Sequence, residues 1–174
     1  MDLRYPVGKF DFQAAVAPES RPQLIDTLAA APGRLREAVR GLDEQQLDTP
    51  YRPDGWTVRQ VIHHVADSHM NSYIRFRLAL TEDSPAIKPY DQEQWAQLAD
   101  ARTAAVAPSL ELVDGLHQRW VKLLRSFSSA DFERTFRHPE LGLVRLDKTL
   151  ALYAWHSRHH EGHITSLRAR MGWK

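Results

Sequence analysis

The sequence predicts an all-α fold, a bundle of four main helices, and two observations predict it. Apolar residues recur at three- and four-residue spacing over long stretches. Between those stretches lie proline, glycine and capping residues, with a small hairpin as the one predicted β element.

The first stripe, Ser20 to about Leu42, carries Leu24, Ile25, Leu28, Leu35, Val39 and Leu42, and Pro32-Gly33 is expected to kink it or split it in two. The turn-rich "DTPYRPDG" follows. Thr57 with Gln60 three residues on is a capping box that opens a long helix from about Val58 to Leu80, closed by Asp83, Pro85 and Pro89. A short helix in "DQEQWAQLADARTAAVAPS" ends at the Pro108 break. Leu112, Val113, Leu116, Trp120, Leu123, Leu124 and Phe127 then lay down a third stripe, with Glu111, Asp114, Gln118 and Lys122 on its polar face. "FERTFRHPELGLVRL" sets Pro139 and Gly142 between two short apolar pieces, which predicts the hairpin. Asp147 is the expected cap of the last helix, which runs to Met171 with Gly172 at its C′ position.

A chain of 174 residues fits one domain spanning 1–174, and no composition shift suggests a linker. Lys+Arg 23 against Asp+Glu 22, with the signs interspersed, gives +1 and argues against a nucleic-acid or anionic-membrane partner. "MDLRYPVGKF" has no apolar h-region and no run approaches a membrane span, so a cytoplasmic protein is expected. There are no cysteines, so a thiol nucleophile must come from outside and any metal must be held by His, Asp or Glu.

The chemistry concentrates in "YAWHSRHHEGH", which holds four of the nine histidines. At about 100° per residue, with His156 as zero, His160 falls near +40°, His163 near −20° and His159 near −60°. Leu152 and Leu167 share that arc, while Arg158, Glu161 and Thr165 face away, so the histidine arc is the buried face. A lone buried histidine is usually a hydrogen-bonded core residue. Four on one face demand so many partners that a divalent cation becomes the better account. Spacing leaves two i,i+4 pairs open, His156 with His160 and His159 with His163. The protease pattern H-E-x-x-H is absent, since Ser157 follows His156.

A third ligand is expected from "WTVRQVIHHVADSHMNSYIRFR", which offers His63, His64 and His69. His64 leads a polar stripe of Ser68, Asn71 and Arg75, whereas His63 falls about 100° away on the side opposite the core. His64 is thus the better inward-facing ligand, and the stripe is a candidate pocket wall with Arg75 suited to a carboxylate. Asp67 lies about 60° from His64 without an assigned partner, so no general base is evident.

"PYRPDGWTVRQVIHHVADSHMNSYIRFRLALTEDSPAIKPYDQEQWAQL" together with "LYAWHSRHHEGHITSLRARMGW" and the N-terminal "YPVGKF" strongly resembles the YfiT-type metal-dependent hydrolases of the DinB superfamily. The resemblance implies a DinB-type four-helix bundle, a homodimer, and one zinc or nickel ion per chain. Its ligands fall on His64, His156 and His160, which leaves His159 and His163, with Asp67, Ser68, Asn71 and Arg75, as residues that orient ligands or line the pocket. It further implies hydrolysis or, as in thiol-dependent members, S-transfer of a low-molecular-weight thiol such as bacillithiol to small electrophiles. No catalytic side chain is assigned beyond the ion and the water or thiol it would activate. The competing expectation is a non-catalytic, metal-binding stress-response protein whose ion only staples the bundle.

Overall fold

A computed structural model describes residues 2–173. Its elements are α1 (Arg21–Val39), α2 (Glu44–Leu47), α3 (Val58–Thr81), α4 (Gln92–Trp95), α5 (Ala99–Thr103), α6 (Ala107–Arg125), α7 (Ser129–Glu133), β1 (Thr135–His138), β2 (Gly142–Arg145) and α8 (Leu146–Met171), with a 3-10 turn at Pro18–Ser20. The long helices α1, α3, α6 and α8 form a four-helix bundle in which α1 and α3 each pack against both α6 and α8.

The predicted capping box holds: the Thr57 hydroxyl accepts from the Gln60 N–H and the Gln60 side chain accepts from the Thr57 N–H. The hairpin is also present, pairing Phe136 with Val144 and Arg137 with Leu143, with Gly142 at φ +71° in its turn. Gly172, at φ +66°, closes α8 in the left-handed region as expected. No helix among the described residues is long and apolar enough to cross a membrane.

Several expectations need correction. α1 runs unbroken through Pro32, which is buried inside it, so the first stripe is one helix and not two. Pro108 starts α6 instead of breaking a helix, because its missing N–H falls where no helical bond is made. Asp147 is not the cap of α8. It sits in the first turn, buried, and accepts from Arg21 Nη2 at 3.1 Å and Arg145 Nη2 at 2.8 Å. Two guanidinium groups and the positive end of a long helix stabilise that carboxylate more than a single capping bond would.

The core divides into two apolar clusters. One gathers Leu28, Phe76, Trp120 and Leu150, and the other Leu35, Val61, Val113 and Ile164. Along each long helix the residues between the clusters break the apolar pattern: buried Pro32 on α1, buried His69 on α3, buried His117 on α6, and on α8 buried His159, His160 and His163 with half-buried His156. The bundle therefore carries a belt of imidazoles between two hydrocarbon layers.

Candidate metal centre

Helix α3 contributes His64, and α8 contributes His156 and His160 one turn apart on its inner face. One ring nitrogen from each lies within 4.8 Å of the others. His64 Nε2 and His156 Nε2 are 3.3 Å apart. A second triad on the same helix, His159, His160 and His163, shares His160 with the first.

Burial sets the electrostatics. It pushes His64 down to about 3, with the neighbouring His159 and His163 adding to the effect. His156 and His160 are driven well below the ordinary imidazole range by burial first, with His64 the next cause at His156, and His156 and then His64 at His160. His159 and His163 fall to about 4, again chiefly through burial. All five are neutral at pH 7, so each has one nitrogen lone pair to give. Neutral nitrogens brought this close need a proton or a cation between them, and a divalent ion suits three at once. The donor set therefore fits the ion that the sequence resemblance implies.

The triad opens on a cavity of about 760 Å³ that His64, His156 and His160 line together with His159 and His163. Trp56 packs on His64 with ring centroids 4.6 Å apart, and its indole N–H reaches Glu93 at 3.2 Å. Trp155 stacks on His159 at 4.3 Å and is fastened to the N-terminal segment through the Gly8 carbonyl at 3.1 Å. Arg4, Arg52 and Arg102 bring positive charge to the walls and Asp48, Asp54 and Glu93 bring negative.

The predicted stripe on α3 does not join this wall. Ser68, Asn71 and Arg75, with Asp67, are absent from the cavity lining. The Ser68 hydroxyl meets the Tyr153 hydroxyl at 3.2 Å, Asn71 donates to the Asp67 carbonyl at 2.9 Å, and Arg75 acts on Tyr90 and His138. Eleven residues of helix place Arg75 about 16 Å along the axis from His64, which is why a shared angle on the helix wheel does not bring it to the same site.

One other position differs from the sequence reading. His63 is buried and not on an open face, because α5 and the start of α6 cover that side of α3. Its Nδ1 meets Ser109 Oγ at 2.8 Å and its Nε2 meets the Ala104 carbonyl at 3.3 Å. Gly162 admits the N-terminal segment against α8, since a Cβ there would stand 3.0 Å from Pro6 Cγ.

His117, almost fully buried, is what the sequence reading missed, and fully buried His69, offered there as a possible ligand, lies behind His156 instead. His69 Nε2 lies 3.1 Å from His156 Nδ1, and His69 Nδ1 lies 2.7 Å from His117 Nε2. The signal was available on α6, where Val113, His117 and Trp120 share one face.

A sequence profile of the DinB superfamily matches residues 27–164. Relatives from Bacillus mycoides and Bacillus cereus, each carrying the name "Putative metal-dependent hydrolase", are 54% identical over 172 residues, covering 99% of this chain and 99% of theirs. The solved structure of YfiT from Bacillus subtilis, described as a probable metal-dependent hydrolase with an unusual four-helix bundle topology, superposes with a TM-score of 0.96 at 48% identity over 100% of both chains. A second solved four-helix bundle protein, at 21% identity and TM-score 0.56, covers 86% of this chain and 98% of its own, and shares the fold alone. With a profile match across most of its length and relatives of this identity end to end, the chain belongs to the DinB superfamily.

Proposed function

We propose that the chain is a metal-dependent enzyme of the YfiT type, in which His64, His156 and His160 hold one divalent ion, zinc or nickel, at the floor of the 760 Å³ cavity. The observation that carries this reading is the convergence of three neutral imidazoles on a space large enough for a small substrate. Such an ion supplies Lewis acidity that lowers the pKa of a thiol or a water molecule toward neutrality.

The protein's own residues supply the rest. Burial keeps the three ligand rings uncharged, so they leave the ion dicationic and favour an anionic nucleophile. Trp56, Trp155 and Tyr51 wall the cavity with aromatic surface that limits water. Buried Nδ1 of His159 has no partner among the described residues, which is least costly when Nδ1 is the lone pair and Nε2 the N–H. His159 is then a neutral donor toward a bound substrate and a poor general base.

With His159 a poor base, transfer of a low-molecular-weight thiol, of the bacillithiol kind, to a small electrophile is the favoured reading, the chain having no cysteine of its own. Hydrolysis is the second reading, supported by the names of the relatives. A purely structural ion is disfavoured by the open cavity, because a closed ligand shell would not need one. The reading also includes a homodimer in the cytoplasm acting on small molecules, with no nucleic-acid or membrane partner.

Elemental analysis of untagged protein tests the site. About one ion per chain is expected, lost in His64→Ala and His160→Ala and kept in His159→Ala. Consumption of a thiol by an electrophile on the loaded protein then separates transfer from hydrolysis, which would proceed without thiol. Failure to take up zinc or nickel after reconstitution would remove the chemical basis of both.

A further inference from the structure

Each α8 ligand turns its second ring nitrogen to another imidazole. His156 Nδ1 faces His69 Nε2 at 3.1 Å, His69 Nδ1 faces His117 Nε2 at 2.7 Å, and His117 Nδ1 faces the Leu28 carbonyl at 2.8 Å. His160 Nδ1 faces His163 Nδ1 at 3.3 Å, and His163 Nε2 faces the Arg4 carbonyl at 3.1 Å.

Both runs end on a carbonyl oxygen, which accepts and never donates. That fixes the direction of every bond behind it. His117 must carry its proton on Nδ1, so its Nε2 is a lone pair. His69 must then donate from Nδ1 and accept at Nε2, which obliges His156 to carry its proton on Nδ1 and to present Nε2 bare toward His64. By the same count His163 is protonated on Nε2 and accepts at Nδ1, so His160 donates from Nδ1 and keeps Nε2 bare. The alternative is a doubly protonated ring inside a run. At His69, fully buried and without a carboxylate partner among the described residues, it would place an uncompensated charge in the interior.

The Leu28 carbonyl is free for this use because its helical donor, four residues on, is Pro32, which has no N–H. A proline buried in the middle of α1 thus has a local purpose. It opens one acceptor at the level of the imidazole belt.

We propose that two carbonyl-terminated imidazole chains, His69–His117–Leu28 and His163–Arg4, lock His156 and His160 in the one tautomer that offers Nε2 to the ion, with His69, His117 and His163 as positioning residues. The purpose given to the chains rests on the metal reading above, while the tautomers are present without any ion. The chains are locks and not proton wires, since a carbonyl can neither take up a proton nor pass one to solvent.

The test uses the full-length protein uniformly labelled with ¹⁵N, first free of metal, at pH 7.5. Long-range imidazole correlations assign the protonated nitrogen of each histidine. The expected result is Nδ1–H for His69, His117, His156 and His160, and Nε2–H for His163. Either ligand with Nε2–H, or averaging between tautomers, would overturn the proposal. Zinc affinity, read by competition with a chromophoric chelator, gives the second arm. His117→Phe removes both the acceptor for His69 and the donor to Leu28, and should weaken binding about 10- to 100-fold. His117→Gln, whose amide can accept from His69 and donate to Leu28, should stay within about threefold of the native protein and preserve the His156 tautomer. Equal affinity in the native protein and His117→Phe would count against the lock. Should His117→Phe fail to fold, His117→Gln and the native tautomers still decide. Correct tautomers with no zinc bound would sink the metal reading and the purpose of the chains together, whereas wrong tautomers with zinc bound would sink the chains alone.

Discussion

Pro32 and His117 meet at one atom, the Leu28 carbonyl oxygen: the proline withholds the helical donor that would occupy it, and the imidazole Nδ1 lies 2.8 Å away. A residue that ordinarily breaks a helix is kept in the interior of α1, level with the belt that holds the candidate metal centre.

Pro32→Ala should therefore stabilise the metal-free protein. An interior proline disfavours a helix by about 3 kcal/mol relative to alanine. Against this, the smaller side chain gives up two buried methylenes at about 0.8 kcal/mol each. The balance is a gain of about 1 kcal/mol, or roughly 2–4 °C in the thermal midpoint for a chain of this size. The restored N–H would compete with His117 for the Leu28 carbonyl, whose second lone pair lets the imidazole keep a weaker bond. A lower midpoint by calorimetry would show that the bundle has adapted to the proline more deeply than the missing bond implies.

Adjacent histidines on α3 should separate structure from binding. Among the described residues His63 bonds only to Ser109 and the Ala104 carbonyl, so His63→Ala should lower stability by about 1–2 kcal/mol and leave the ion content intact. His64→Ala should abolish metal uptake. Metal lost from both variants, with His63→Ala folded by circular dichroism, would argue that the site depends on the α3–α5 packing instead of on His64 itself.

Gly162 governs how the N-terminal segment lies over the site. Alanine there gains about 1 kcal/mol of helix propensity, yet its Cβ would stand 3.0 Å from Pro6 Cγ and 3.3 Å from Val7 Cγ1. Residues 2–17 form no helix or strand and can yield to the added methyl, so overall stability should change little. The Arg4 carbonyl should then move away from His163, with faster tryptic cleavage after Arg4 and Lys9. Unchanged cleavage kinetics would mean that Pro6 yields without moving its neighbours.

Asp67 gives the pH dependence a sign. Burial first, and Asp100 second, push its carboxyl up to about 6 from an ordinary 3.8. Between those two values the folded protein holds a proton that the unfolded chain releases, so stability is full below about 3.8 and declines as pH rises to about 6. Asp67→Asn should raise stability at pH 7 by on the order of 1–2 kcal/mol, less than the full shift because the side chain is only half-buried. At pH 3.5 the two proteins should unfold at the same urea concentration. An asparagine variant that is no more stable at pH 7 would place Asp67 in water.

The sequence by itself determined the helices, their caps and the ligand types. Periodicity of 3.6 and the Thr57–Gln60 box are local properties, set by residues three or four apart, and they need no partner to be read. The histidine arc on α8 was legible for the same reason, and with it the expectation that those rings are buried. Tertiary structure decided which nitrogens meet. That His64 stands 3.3 Å from His156, that Arg75 lies far from both, and that His63 is covered by α5 all depend on how helices distant in sequence are set against one another. So do the roles of Pro32 and His117. Each is an ordinary residue on its own helix, a proline out of place and a histidine on an apolar face, and becomes intelligible when packing brings a donor from α6 to an acceptor on α1.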